Sequence, residues 1–156
     1  MKDYKSELTG NRIVINPASF GESVRLKNVL FGELKSHSLG LKLIGNTNDL
    51  LNKEIDFTAL LDFLKDVLIG VDISDDVNAA LWACLKHCTY QTTYRIDADL
   101  IDKVPEARED YYEIIFTCIE ENLRPFIKCL VSKWKTLAPK IGESQALNVI
   151  FQQMNA

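Results

Sequence analysis

The chain has 156 residues, is 47% hydrophobic and 26% charged, and carries a formal net charge of −4. That length buries a full core without disulfide or metal staples, and the balance of apolar and charged residues excludes both a disordered chain and a membrane-embedded one. The net acidity disfavours polyanion binding, so no nucleic acid is expected as a partner.

From the N-terminus, Met1–Glu7 mixes charge signs and lacks an apolar run, so it does not read as a secretory signal. Arg12–Asn16 is short and β-branched, and Pro17 ends it by pushing its predecessor toward extended geometry. A short extended strand or hairpin is the expectation. Phe20, Val24, Lys27, Phe31 and Leu34 then recur at steps of three and four, with Leu26 and Leu30 widening the stripe. The spacing predicts an amphipathic helix over about 19–36. Leu39–Asn48 contains Gly40, Gly45 and Asn46 and reads as a loop.

Asp56 is a candidate cap for a second helix, with Phe57, Leu60, Leu61, Leu64 and Leu68 facing inward and Gly70 closing it. Ser74 is a good N-cap for a third helix, with Asp75 and Asp76 in its positive first turn. Its inward residues are Val77, Leu81, Cys84, Leu85 and Cys88. Tyr90–Ile96, rich in threonine and tyrosine, fits a short strand or an extended linker. Pro105 suits a first helical turn, and helical spacing then runs from Tyr112 through Ile115, Phe116, Ile119, Leu123, Phe126, Ile127 and Leu130. Pro125 predicts a kink or two abutting helices, and Pro139 with Gly142 predicts the end of the region. Leu147, Ile150, Phe151 and Met154 form a last amphipathic turn or two.

No stretch approaches the roughly 18 to 20 apolar residues of a membrane span, so no membrane partner is expected. The sum is a mainly α, compact helical domain spanning 1–156, with 143–156 a candidate separate C-terminal interaction helix. Charge is blocked along the chain: residues 97–121 hold two basic and nine acidic residues, residues 122–156 five basic and one acidic. Such segregation creates a two-signed surface suited to protein contacts, or simply solvated helix faces.

Catalytic and metal signatures are scarce. No nucleophile elbow, papain-like cysteine motif or phosphate loop occurs, and the adjacent carboxylate pairs diverge around a helix. The sharpest chemical candidate is Cys84, His87 and Cys88, whose spacing puts thiols and imidazole along one side of a helix. A structural zinc site takes a fourth ligand, and neither Cys118 nor Cys129 supplies a second close pair, so buried free thiols in a reducing cytoplasm are the simpler reading. No cofactor or metal is expected. What remains is apolar surface for helix-in-groove binding or self-association, with Phe20, Phe31, Leu147, Ile150, Phe151 and Met154 as candidate protein-binding residues.

Two segments carry a family likeness. The first is Ile13-Val14-Ile15-Asn16-Pro17-Ala18-Ser19-Phe20, running into Val24-Arg25-Leu26-Lys27-Asn28-Val29-Leu30. The second is Arg108-Glu109-Asp110-Tyr111-Tyr112-Glu113-Ile114-Ile115, continuing to Glu121-Asn122-Leu123-Arg124-Pro125-Phe126. In this order they resemble the tail assembly chaperones of long-tailed bacteriophages. The resemblance covers about the first third of the chain and residues 105–130, and its motifs are structural, with no catalytic signature. It implies a small, largely helical, non-enzymatic protein of the bacterial host cytoplasm. Such a protein coats the tape measure protein, keeps it soluble, and is displaced as tail tube subunits polymerise. A homo-oligomer is compatible with that role, as is a short form alongside a longer frameshifted one. The alternatives are a generic helical interaction or regulatory module of phage or bacterial origin and a small zinc-stabilised protein.

Overall fold

A computed structural model describes residues 1–36, 65, 68, 69 and 73–141. The helices expected over 56–70 and 147–154, and the loop 39–48, therefore lie outside or almost wholly outside the described residues. The chain divides into two compact units, Met1–Lys27 with Ser74–Leu123, and Asn28–Ile73 with Arg124–Ala156.

The first unit is built on a four-stranded antiparallel sheet in the order β1-β2-β3-β4. Strands β1 (Lys2–Lys5) and β2 (Arg12–Ile15) form a hairpin with Lys2 opposite Ile15 and Lys5 opposite Arg12. The return is organised by Ser6, whose Oγ accepts from the amides of Leu8 and Thr9 at 3.0 and 3.1 Å. Gly10 completes it at φ 74°, a left-handed conformation that glycine adopts without steric cost. Because strand side chains alternate, Ile13 and Ile15 both enter the core while Arg12 faces solvent and pairs with Asp3 across the hairpin.

Helix α1 (Phe20–Ser36) follows. Its start is a capping box: the Ser19 hydroxyl accepts from the Glu22 amide at 3.3 Å, and the Glu22 carboxylate accepts from the Ser19 amide at 3.1 Å. The buried stripe runs Ser23, Leu26, Leu30 and Phe31, which corrects the expected one. Phe20 sits outside it, so the inward face is centred on Leu26 and Leu30.

Helix α2 (Asp75–Leu85) is capped by Ser74, which accepts from the Val77 amide, and buries Val77, Leu81, Cys84 and Leu85 as the spacing predicted. Strands β3 (Thr89–Tyr90) and β4 (Tyr94–Arg95) form the second hairpin, with β3 pairing β2 so that Ile13 faces Tyr90. Their turn places Gln91 and Thr92 at φ 51° and 62°. Two consecutive left-handed residues match the right-handed twist of the strands, although neither is a glycine.

Helices α3 (Ala98–Lys103) and α4 (Pro105–Glu109) lead into α5 (Tyr111–Ile141). Pro105 takes the first turn of α4 as expected. The long helix is continuous through Pro125, which excludes the two abutting helices among the expected alternatives, and it runs past Pro139 to Ile141, directly before Gly142. Burial of Ile114, Ile115, Cys118, Ile119 and Leu123 anchors its first half in the core of the first unit, whereas Tyr112 is 53% exposed. Helices thus predominate among the described residues, and the N-terminal extended piece is a hairpin within a real sheet. The sheet makes the fold mixed in class.

Candidate functional site

The polar groups of the first unit gather in two clusters that fasten residues 6–23 onto the second half of the unit. The first is centred on Asp110, in the corner between α4 and α5 and wholly buried. Ser6 donates its hydroxyl to Asp110 Oδ1, while Thr9 and Tyr90 donate to Oδ2 at 2.6 and 2.7 Å. Tyr90 accepts in turn from Asn11 Nδ2 at 2.8 Å, and Gln91 Nε2 donates to Asn11 Oδ1 at 3.0 Å. Both hairpin turns are therefore tied to one carboxylate, which three hydroxyls solvate in place of water. Burial and the hydrogen bond with Asp110 push the Tyr90 hydroxyl up to about 12, so it stays protonated and donating.

The second cluster is centred on Asn122, buried on α5. Its Oδ1 accepts from the Ala18 amide at 2.8 Å and from the Ser23 hydroxyl at 2.9 Å, and its Nδ2 donates to the Cys118 carbonyl at 2.8 Å. Asn16 extends the seam by donating from Nδ2 to the His87 carbonyl at 2.9 Å, while its own carbonyl accepts from the Cys88 thiol at 3.7 Å. Every buried side-chain nitrogen and oxygen among the described residues has a partner. The sites are saturated.

On the surface beside this seam, Glu22 collects Lys86, Ser19 and, through Nε2 at 2.8 Å, His87. The Lys86 ammonium first, then the Ser19 and His87 hydrogen bonds, hold the Glu22 carboxyl down to about 2.

The arrangement separates the candidate zinc ligands. His87 turns outward to Glu22, whereas Cys84 and Cys88 lie in the core. Burial pushes the Cys84 thiol up to about 12, and a hydrogen bond with Cys88 together with burial raises that of Cys118. Among the described residues no group of three or more His, Cys, Asp and Glu side chains is set to hold a metal ion.

The candidate protein-binding residues divide. Phe20, directly after the Asn16-Pro17-Ala18-Ser19 segment, is 77% exposed, whereas Phe31 is 7% exposed and belongs to the core, where it presents no docking surface. Leu147, Ile150, Phe151 and Met154 lie outside the described residues. Exposed apolar groups that the sequence did not single out include Leu8, at the tip of the first hairpin, Tyr94 in the second, Met1 and Ile69. Tyr112, the first residue of the expected helical spacing, stacks on Phe116 at 5.9 Å between centroids while remaining exposed. The sequence signal for the two clusters was a polar residue inside an apolar stripe, Asn122 between Ile119 and Leu123.

Among the described residues no helix is long and apolar enough to cross a membrane. Compared with known proteins, the chain matches no family model, no curated protein and no solved structure.

Proposed function

We propose that this protein is a non-enzymatic tail assembly chaperone of long-tailed bacteriophages. It binds the tape measure protein in the bacterial cytoplasm, keeps it soluble and gives way to tail tube subunits. The observation that supports the reading is the pair of polar clusters. The two segments that carry the family resemblance, far apart in sequence, meet where the Ala18 amide donates to Asn122, and residues just outside the first segment, Ser6, Thr9 and Ser23, bind Asp110 and Asn122 of the second. Ala18, Asp110 and Asn122 used in this way specify a scaffold, as expected of a protein whose task is presenting a surface.

Client contact is assigned to Phe20 and to the C-terminal positions Leu147, Ile150, Phe151 and Met154. Weak contacts repeated over several copies along one long client hold it by avidity and still allow displacement. Co-expression with a tape measure protein tests the reading. A soluble complex is the expected result; a tape measure protein that stays insoluble and forms no complex overturns it. Phe20→Asp is expected to leave the circular dichroism spectrum and Tm unchanged while lowering the recovery of that complex, because the side chain it replaces already faces solvent.

A further inference from the structure

The outermost strand of a sheet carries a row of backbone donors and acceptors that no strand takes, a template for a further strand unless side chains turn it away. Strand β1 is such an edge: among the described residues it pairs with β2 alone. Which of its groups face outward follows from the hairpin. The Ser6 amide donates to the Asn11 carbonyl at 2.8 Å, and the Arg12 carbonyl is taken on its other side by the Gln91 amide at 2.7 Å. Bonded and unbonded pairs alternate along an antiparallel ladder, so Lys2 and Tyr4 direct their backbone groups at β2, and those of Asp3 and Lys5 point away from it. The next outward amide, that of Glu7, already donates to Glu113 Oε2 at 3.3 Å, which closes the edge at that end.

The side chains of Asp3 and Lys5 are exposed on the same face of the strand. Lys5 stands directly opposite a second cation, Arg12, which leans diagonally to Asp3. Among the described residues no carboxylate forms an ion pair with Lys5. A lone edge lysine repels an incoming strand, but an aspartate two residues before it makes the edge complementary to itself. When a second β1 lies antiparallel with Tyr4 against Tyr4, each Asp3 faces a Lys5, and these are the pairs whose backbone groups are open. Sliding to the neighbouring bonded registers sets Asp3 against Asp3, or Lys5 against Lys5 with Asp3 against Glu7, and like charges directly opposite are unfavourable.

We propose that β1 is a self-docking edge: a second copy of this chain pairs with it antiparallel, Tyr4 on the two-fold axis and Asp3 of each copy against Lys5 of the other. The inference stands apart from the chaperone reading, since it concerns one strand and needs no client.

The test is sedimentation equilibrium of the full chain from about 1 to about 500 µM, which covers the weak association expected of so short a contact. The wild type is expected to pass from the mass of one chain to that of two within this span. Lys5→Glu sets like charges opposite each other at both symmetric pairs and is expected to raise the dissociation constant about tenfold or more. Asp3→Lys is expected to do the same with the opposite sign of charge. Asp3→Lys combined with Lys5→Glu restores opposite charges and is expected to return the constant to within about threefold of wild type. Circular dichroism at the lowest concentration checks each fold. Lys5→Glu, which places a carboxylate opposite Arg12, is expected to keep the wild-type spectrum. A wild type that stays monomeric throughout overturns the proposal. So does a dimer that neither single substitution weakens, or one that the combined exchange fails to restore while its spectrum matches wild type.

Discussion

At the scale of single residues, the buried carboxylate of Asp110 does the most to specify this fold. Three hydroxyls from three places in the sequence converge on it, and no cation among the described residues is paired with it. Asp110→Ala strands those hydroxyls away from water and is expected to cost about 3 kcal/mol, read from the urea midpoint. Tyr90→Phe removes one bond of the three and is expected to cost about 1 kcal/mol. Equal losses from the two variants would contradict the shared cradle. Glu22 makes the second residue-scale prediction. Its carboxyl is held at about 2 in the folded chain against an ordinary 4.5. The stabilisation is therefore fully present above pH 4.5 and is lost as pH falls through 2. Melting temperatures of the wild type and Glu22→Gln, measured across that window, are expected to converge toward its acidic end. A gap that stays constant would refute the ion cluster as its source.

At the scale of elements, the turn between β3 and β4 shows how tertiary structure overrides local preference. A tight turn with two consecutive left-handed central residues favours asparagine and glycine, yet Gln91 and a β-branched Thr92 occupy those positions in the three-residue loop between paired Tyr90 and Tyr94. The Thr93 amide still closes it on the Tyr90 carbonyl at 3.3 Å. Thr92→Gly is expected to stabilise the protein by roughly 1 kcal/mol, seen as a higher Tm, because it removes the Cβ that makes this conformation costly. Helix α2 was legible in full from Ser74 and its apolar spacing, and so was the proline start of α4. The stripe of α1 was legible only as an outline, since Phe20 fits the period yet sits one turn before the burial begins. The four-stranded sheet was hidden for a different reason: β3 and β4 have two residues each, too few for an alternating pattern, and β3 finds β2 across a long stretch of chain.

For the molecule as a whole, the net charge of −4 conceals opposed blocks, and two of them lie along α5. The basic block adjoins buried Leu123 and Ile127 and follows an acidic one, so it makes a poor phosphate-tracking surface. No binding to a fluorescent DNA duplex is expected in anisotropy titrations at near-physiological salt; saturable binding there would assign the basic half of α5 a different role. The candidate site was half legible in the same sense. Asp110 and Asn122 both stood inside the second motif segment, but that each gathers the N-terminal segment depends on distances in space that no local pattern encodes.

The same clusters set an order on how the protein comes into being. Ser6 waits for Asp110 and Ala18 for Asn122, so the partner of each early residue is synthesised about a hundred residues later. Until then Ile13 and Ile15, wholly buried in the finished molecule, have no complete core to enter. A nascent chain truncated before residue 110 would therefore expose them to proteolysis and to host holdases.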